Sequence, residues 1–120
     1  MKNYRELIVW QKAMELITSV YAVTSAFSES ERYGLTSQMR RCAVSIPSYI
    51  AEGYGRSSTA DYVRFLLIAR GSLFELQTQI EIANRLGFLQ DESLNQLFAN
   101  SVEIDKMLNS LVSNLRAKLK

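Results

Sequence analysis

The chain has 120 residues, 48% of them apolar and 22% charged, and a net charge of +2. That length sets one domain spanning residues 1–120, large enough to bury its own core. With no histidine and one cysteine, it lacks the parts for Ser-His-Asp or Cys-His nucleophiles, Glu-x-x-His di-iron sites, zinc sites and an internal disulfide, so a non-enzymatic protein without metal or cofactor is expected.

Lys2, Arg5, Glu6, Lys12 and Glu15 interrupt any uncharged run near the N-terminus. Neither a signal peptide nor a membrane span is expected, and a cytoplasmic location follows. The first helix is predicted from about Arg5 to Phe27. It carries two adjacent apolar stripes, one of Trp10, Met14, Ile17, Tyr21 and Thr24, the other of Val9, Ala13, Leu16, Val20, Val23 and Phe27, both at helical spacing. The polar run Ser28 to Arg32, followed by Tyr33 and Gly34, predicts a loop.

The second helix is predicted to begin near Thr36 as N-cap and to end between Glu52 and Tyr54, before Gly55. Leu35, Met39, Cys42, Ile46 and Ile50 recur at three- and four-residue steps and form its core stripe; Cys42 reads as a small buried hydrophobe. The only proline, Pro47, removes the hydrogen bond to the Ala43 carbonyl at about 3 kcal/mol, and a kink is expected there. Opposite the core stripe lie Arg40, Val44, Pro47 and Ala51, flanked by a polar strip of Arg41, Ser45, Ser48 and Glu52.

Ser58 and Asp61 have capping-box spacing and open the third helix. Tyr62, Leu66, Ala69, Leu73, Leu76, Ile80 and Ala83 make its core stripe, and Gly87 is its expected stop. A second line, Val63, Leu67, Gly71, Phe74 and Thr78, runs at another angle. Gly71 costs about 1 kcal/mol relative to alanine but permits close approach of another backbone. Gln90 or Asp91 caps the last helix, whose stripe is Leu94, Leu97, Ser101, Ile104, Leu108, Leu111 and Leu115. Short loops between four such helices predict an all-α, antiparallel up-down-up-down four-helix bundle.

One bundle core does not absorb all of this apolar surface. Val44, Pro47 and Ala51 on the second helix, with Val63, Leu67, Gly71 and Phe74 on the third, are expected to contribute to a homo-oligomer contact; the competing reading has them fill corners within a thick bundle.

Charge is uneven: six arginines stand against two acids between Arg32 and Arg70, and one arginine against six acids between Gly71 and Asp105, before a basic tail of Lys106, Arg116, Lys118 and Lys120. Either neighbouring helices pair these charges or the arginines form a basic surface for an anionic partner. In the second reading Arg40, Arg41, Arg56 and Arg64 contact RNA or DNA phosphates and Tyr54 stacks on a base. In the first, a scaffold or protein-recruiting oligomer uses these residues for subunit contacts, and Arg41 pairs with Glu52 or a neighbour's acid. Gly53 to Thr59 also has the glycines of an anion cradle, but it lacks the lysine and spacing of a P-loop and reads as a tight turn.

The runs Tyr33-Gly34-Leu35-Thr36-Ser37-Gln38-Met39-Arg40-Arg41, Ser45-Ile46-Pro47-Ser48, Ile50-Ala51-Glu52-Gly53, Arg56-Ser57, Arg64-Phe65-Leu66, Gly71-Ser72-Leu73, Glu75-Leu76 and Thr78-Gln79 together resemble the bacterial four-helix bundle proteins encoded in intervening sequences of 23S ribosomal RNA genes. The resemblance covers Trp10 to Gly87, the last helix matching only in general pattern. More distantly, the chain is similar to the accessory variability proteins of diversity-generating retroelements. The resemblance implies an antiparallel bundle assembled as a homopentamer, with no known enzymatic activity. For the retroelement proteins it implies binding of nucleic acid and a reverse transcriptase through basic surface, to which Arg40 and Arg41 correspond. Two positions depart from the pattern: Tyr49 stands where the family usually carries asparagine, and Cys42 where alanine is common.

Overall fold

The computed structural model describes residues 2–119, so Met1 and the last cation of the basic tail, Lys120, lie outside the described residues. Four helices carry the fold: α1 (Ile8–Thr24), α2 (Leu35–Tyr54), α3 (Thr59–Arg85) and α4 (Asp91–Ala117). They form an elongated body of 48 × 22 × 20 Å. No strand occurs among the described residues, and no helix is long and apolar enough to cross a membrane.

The first helix is shorter than its apolar pattern. Tyr4–Glu6 form a separate 3-10 turn, capped by the Asn3 side chain accepting from the Arg5 amide, and Leu7 is extended before α1 begins. At its other end Ala26 and Phe27 fall past the last helical residue. Of the two stripes, Val9, Ala13, Leu16 and Val20 are buried, whereas Met14 and Tyr21 are each 41% exposed. A second 3-10 turn, Glu29–Glu31, lies in the expected loop.

The start of α2 also differs from the sequence expectation. Its N-cap is Gly34, not Thr36, which lies inside the helix and is buried. A carboxylate supplies the cap that glycine cannot: Glu31 Oε1 accepts from the Leu35 amide at 3.3 Å, which favours the helix through its dipole as well. The core stripe is as read, with Met39, Ile46 and Ile50 fully buried and Cys42 nearly so. The helix continues through Pro47. Beside it Ser45 and Ser48 donate their hydroxyls to the Cys42 and Val44 carbonyls at 2.6 and 2.7 Å, a back-bonding that competes with the regular ladder.

α2 and α3 run in opposite directions, since Tyr54 meets Tyr62, Tyr49 meets Phe65, and the Cys42 thiol donates to the Ser72 carbonyl. α3 and α4 do the same through Asn84 to Asp91, Gln77 to Ser101 and Arg70 to Asp105. At the α2–α3 turn the backbones come close at Gly53, where a Cβ would lie 2.8 Å from the Phe65 Cβ. Ser58 caps α3 by accepting from the Asp61 amide at 3.1 Å. Gly87, φ +83°, stops α3 two residues past its last helical residue, with Phe88 N–H donating to the Ala83 carbonyl and Gly87 N–H to that of Asn84. That is the hydrogen-bond pattern of a Schellman stop, which glycine adopts without strain.

Candidate nucleic-acid interface

The four arginines expected to bind phosphate do not converge. α2 is roughly 30 Å long at 1.5 Å per residue; Arg40 and Arg41 sit in its second turn, whereas Arg56 lies beyond its end and Arg64 on the start of α3. Arg56 and Arg64 stack their guanidinium groups over the Phe65 ring at 4.4 and 4.7 Å, and Arg64 is also paired with Asp61 at 3.1 Å. Tyr54, at the same end, packs edge-on against Tyr62 with centroids 6.0 Å apart. This end is an aromatic latch closing the α2–α3 turn. The glycine-containing segment beside it is the tight turn, with Gly53 inside α2 and buried.

The other end of α2 holds a cleft of about 450 Å³. Arg32, Arg40, Arg41, Tyr21, Tyr33 and Val44 are among its walls, and no acid among the described residues lines it. Arg40 is built into the wall: its Nε donates to Thr24 Oγ1 at 2.9 Å, and its guanidinium lies 4.4 Å from the Tyr21 ring centroid. Arg32 pairs with the exposed Glu29 at 3.2 Å and also lies 5.6 Å over the Tyr33 ring. Arg41 is exposed and makes no hydrogen bond or ion pair with another described residue. Glu52 is about 16 Å further along the helix axis, which rules out the pairing of Arg41 with Glu52 within one chain.

Tyr33, Ser37 and Arg41, spaced by four, also line an adjoining groove of about 650 Å³ that Cys42, Tyr49 and Glu75 help to form. They thus make a ridge open on both sides. Cys42 sits below it as a buried thiol; burial first, and then the Glu75 carboxylate, push its pKa up to about 12, against a lowering contribution from the Leu76 backbone amide. It is packing, not a nucleophile.

In the sequence Tyr21 falls in an apolar stripe, Arg32 in a charge count and Tyr33 in a loop, and none of them is assigned to the phosphate contacts. A signal for them exists: Arg32 and Tyr33 precede a helix whose arginines follow at seven to nine residues, and Tyr33 stands one four-residue step before Ser37.

The residues expected at a subunit contact divide. Val63 is 6% exposed and Pro47 is also buried; both belong to the interior of the single chain, which corrects the expectation for them. Leu67 and Ala51 are half-buried, Gly71 is exposed and Phe74 is 42% exposed. Gly71 has nothing within 4 Å of a built Cβ, so no backbone of this chain approaches it. Further along α3, Ile82 and Leu86 extend the exposed apolar strip, and Phe98 of α4 borders it beside Ile82. Val44, 41% exposed, lies instead in the basic cleft by α1.

Part of the charge asymmetry is internal pairing between helices, through Arg70 to Asp105 and Lys12 to Glu103. No group of histidine, cysteine and acidic side chains able to hold a metal occurs among the described residues.

Comparison with known proteins gives two findings. The sequence model of the family described as 23S rRNA-intervening sequence protein matches residues 5–110. Among solved structures, a protein of unknown function from the S23 ribosomal protein family of Bacteroides thetaiotaomicron VPI-5482 is similar, with a TM-score of 0.82 at 23% identity, covering 88% of this chain and 96% of that one. No curated protein matches.

Proposed function

Because this chain belongs to the 23S rRNA-intervening sequence protein family, we propose that it is a non-enzymatic, self-associating four-helix bundle that binds RNA through the basic cleft between α1 and α2. The observation that carries this reading is Arg41, an unpaired cation beside Arg32 and Arg40 in a cleft with aromatic walls and no acid. Guanidinium groups bind phosphate in bidentate, charge-assisted fashion, and repetition of the cleft around an oligomer multiplies the effect through avidity. The exposed strip from Gly71 and Phe74 to Ile82 and Leu86 supports self-association.

Filter binding of ribosomal RNA fragments and random RNA over a range of salt concentrations tests the RNA reading. Retention that weakens as salt rises is expected; no salt-dependent retention near physiological ionic strength overturns it.

A second reading, a scaffold without nucleic acid, draws on the placement of Val44 and Phe74. They lie on different faces of the bundle, Val44 in the cleft by α1 and Phe74 exposed on α3, an arrangement suited to head-to-tail contacts between copies. On this reading the next subunit covers the arginine cleft.

A further inference from the structure

We infer that the cleft selects unpaired RNA, with Tyr33 as the stacking platform for one base and Arg41 as the seat of the adjoining phosphate. This rests on the RNA reading above and adds the form of RNA recognised.

Tyr33 is 87% exposed, the most exposed of the large apolar or aromatic side chains among the described residues. Leaving an aromatic ring in water gives the fold nothing, since it packs against no core residue. Its one ring contact among the described residues is the Arg32 guanidinium at 5.6 Å, and it stands on the ridge that Ser37 and Arg41 continue. An open ring beside a cation on one element and a second, unpaired cation two steps along the ridge matches a nucleotide, which has a π-face and a phosphate.

The same geometry discriminates by strandedness. In a duplex each base face is covered by its stacked neighbours, leaving phosphates, sugars and base edges on the outside. A duplex therefore uses Arg41 but not the Tyr33 ring, whereas an unpaired strand uses both. Glu75, which lines the adjoining groove on the far side of the ridge, repels phosphate and directs the backbone toward the side where Arg32 and Arg40 lie.

The test compares a labelled, unstructured oligouridylate with a blunt RNA duplex of the same length at one salt concentration, for the wild type, Tyr33→Ala and Tyr33→Phe. The single strand is expected to bind more tightly. Tyr33→Ala weakens it by about tenfold and leaves duplex affinity unchanged, and Tyr33→Phe, which keeps the ring, restores single-strand affinity. Equal affinity for the two forms, or a single-strand affinity indifferent to Tyr33→Ala, overturns this inference while the RNA reading stands. Failure to bind either form overturns both. Circular dichroism melting of each variant confirms the fold, which the exposure of Tyr33 protects.

Discussion

Arg70 on α3 donates from Nε to Asp105 Oδ1 on α4 at 2.6 Å, with side chains only 32% and 22% exposed. The guanidinium also lies 5.0 Å from the Phe74 ring centroid, so one cation fixes the register of two helices and the posture of an exposed aromatic. A charge-assisted bond in this partly screened setting contributes about 1–2 kcal/mol. Asp105→Asn is expected to lose roughly that amount in urea denaturation. A double-mutant cycle with Arg70→Ala isolates the pair, and additive effects would show that it contributes no coupling.

Two glycines, both in helices, should respond oppositely to alanine. At Gly53 a Cβ meets Phe65 Cβ at 2.8 Å and Tyr62 Cδ1 at 3.2 Å; relieving that overlap separates α2 from α3, and a loss of about 1–3 kcal/mol is expected despite the better helix propensity. At Gly71 the added methyl meets nothing, and Gly71→Ala should raise the stability of the single chain by about 0.5–1 kcal/mol. Light scattering on the Gly71 variant adds a reading of assembly: if another copy packs its backbone there, association weakens while the monomer becomes more stable.

Arg40 and Arg41 are adjacent in sequence and differ in role. Arg40→Ala removes the bond to Thr24 and the contact with Tyr21, at about 1–2 kcal/mol of stability. Arg41→Ala should leave the melting temperature within about 1 °C and weaken RNA binding with a shallower salt slope. Arg41→Glu separates the two functional readings. Loss of RNA with assembly intact fits the binder, and dissociation with no RNA binding in the parent fits the scaffold.

The Cys42 thiol gives a pH dependence whose sign is fixed. Its pKa is raised from the ordinary 9.0 to about 12, so the folded state holds the proton where the unfolded state releases it. Its contribution is fully present below pH 9 and declines as pH rises from 9 toward 12. The stability difference between the wild type and Cys42→Ala should therefore shift against the wild type over that window. Tyr62, raised by burial and by Tyr54, titrates in both proteins and cancels. A difference that stays flat to pH 12 would contradict the assignment.

Much of this fold is legible because the burial pattern of long helices repeats. Leu66, Ala69, Leu73, Leu76, Ile80 and Ala83 were readable from spacing alone, and all are buried. Ser58, Asp61 and Gly87 marked the limits of α3 through local chemistry. α1 was harder, because its two stripes fit a helix equally and only the neighbouring helices decide which way it rolls; Met14 and Tyr21 lost that competition to Ala13 and Leu16. The start of α2 differs from the Thr36 expectation because its cap comes from Glu31, a side chain outside the helix that the usual N-cap residues do not signal. For the site, axial rise alone separates Arg41 from Arg56, but nothing in the spacing says that Arg40 reaches back to Thr24 or that Tyr33 stays open to water.

The 3-10 turn Glu29–Glu31 contains no buried side chain, and Ser28, Arg32 and Tyr33 around it are exposed as well. The cleft that Arg32 and Tyr33 line thus has stiff banks in the first and second helices and one pliant lip. Deuterium uptake should be earliest in that lip and slowest along the helical banks. A strand settling there would have to quiet the lip, so part of its grip is spent on ordering, and a proline that stiffens the lip without disturbing Tyr33 would tighten capture without adding a contact.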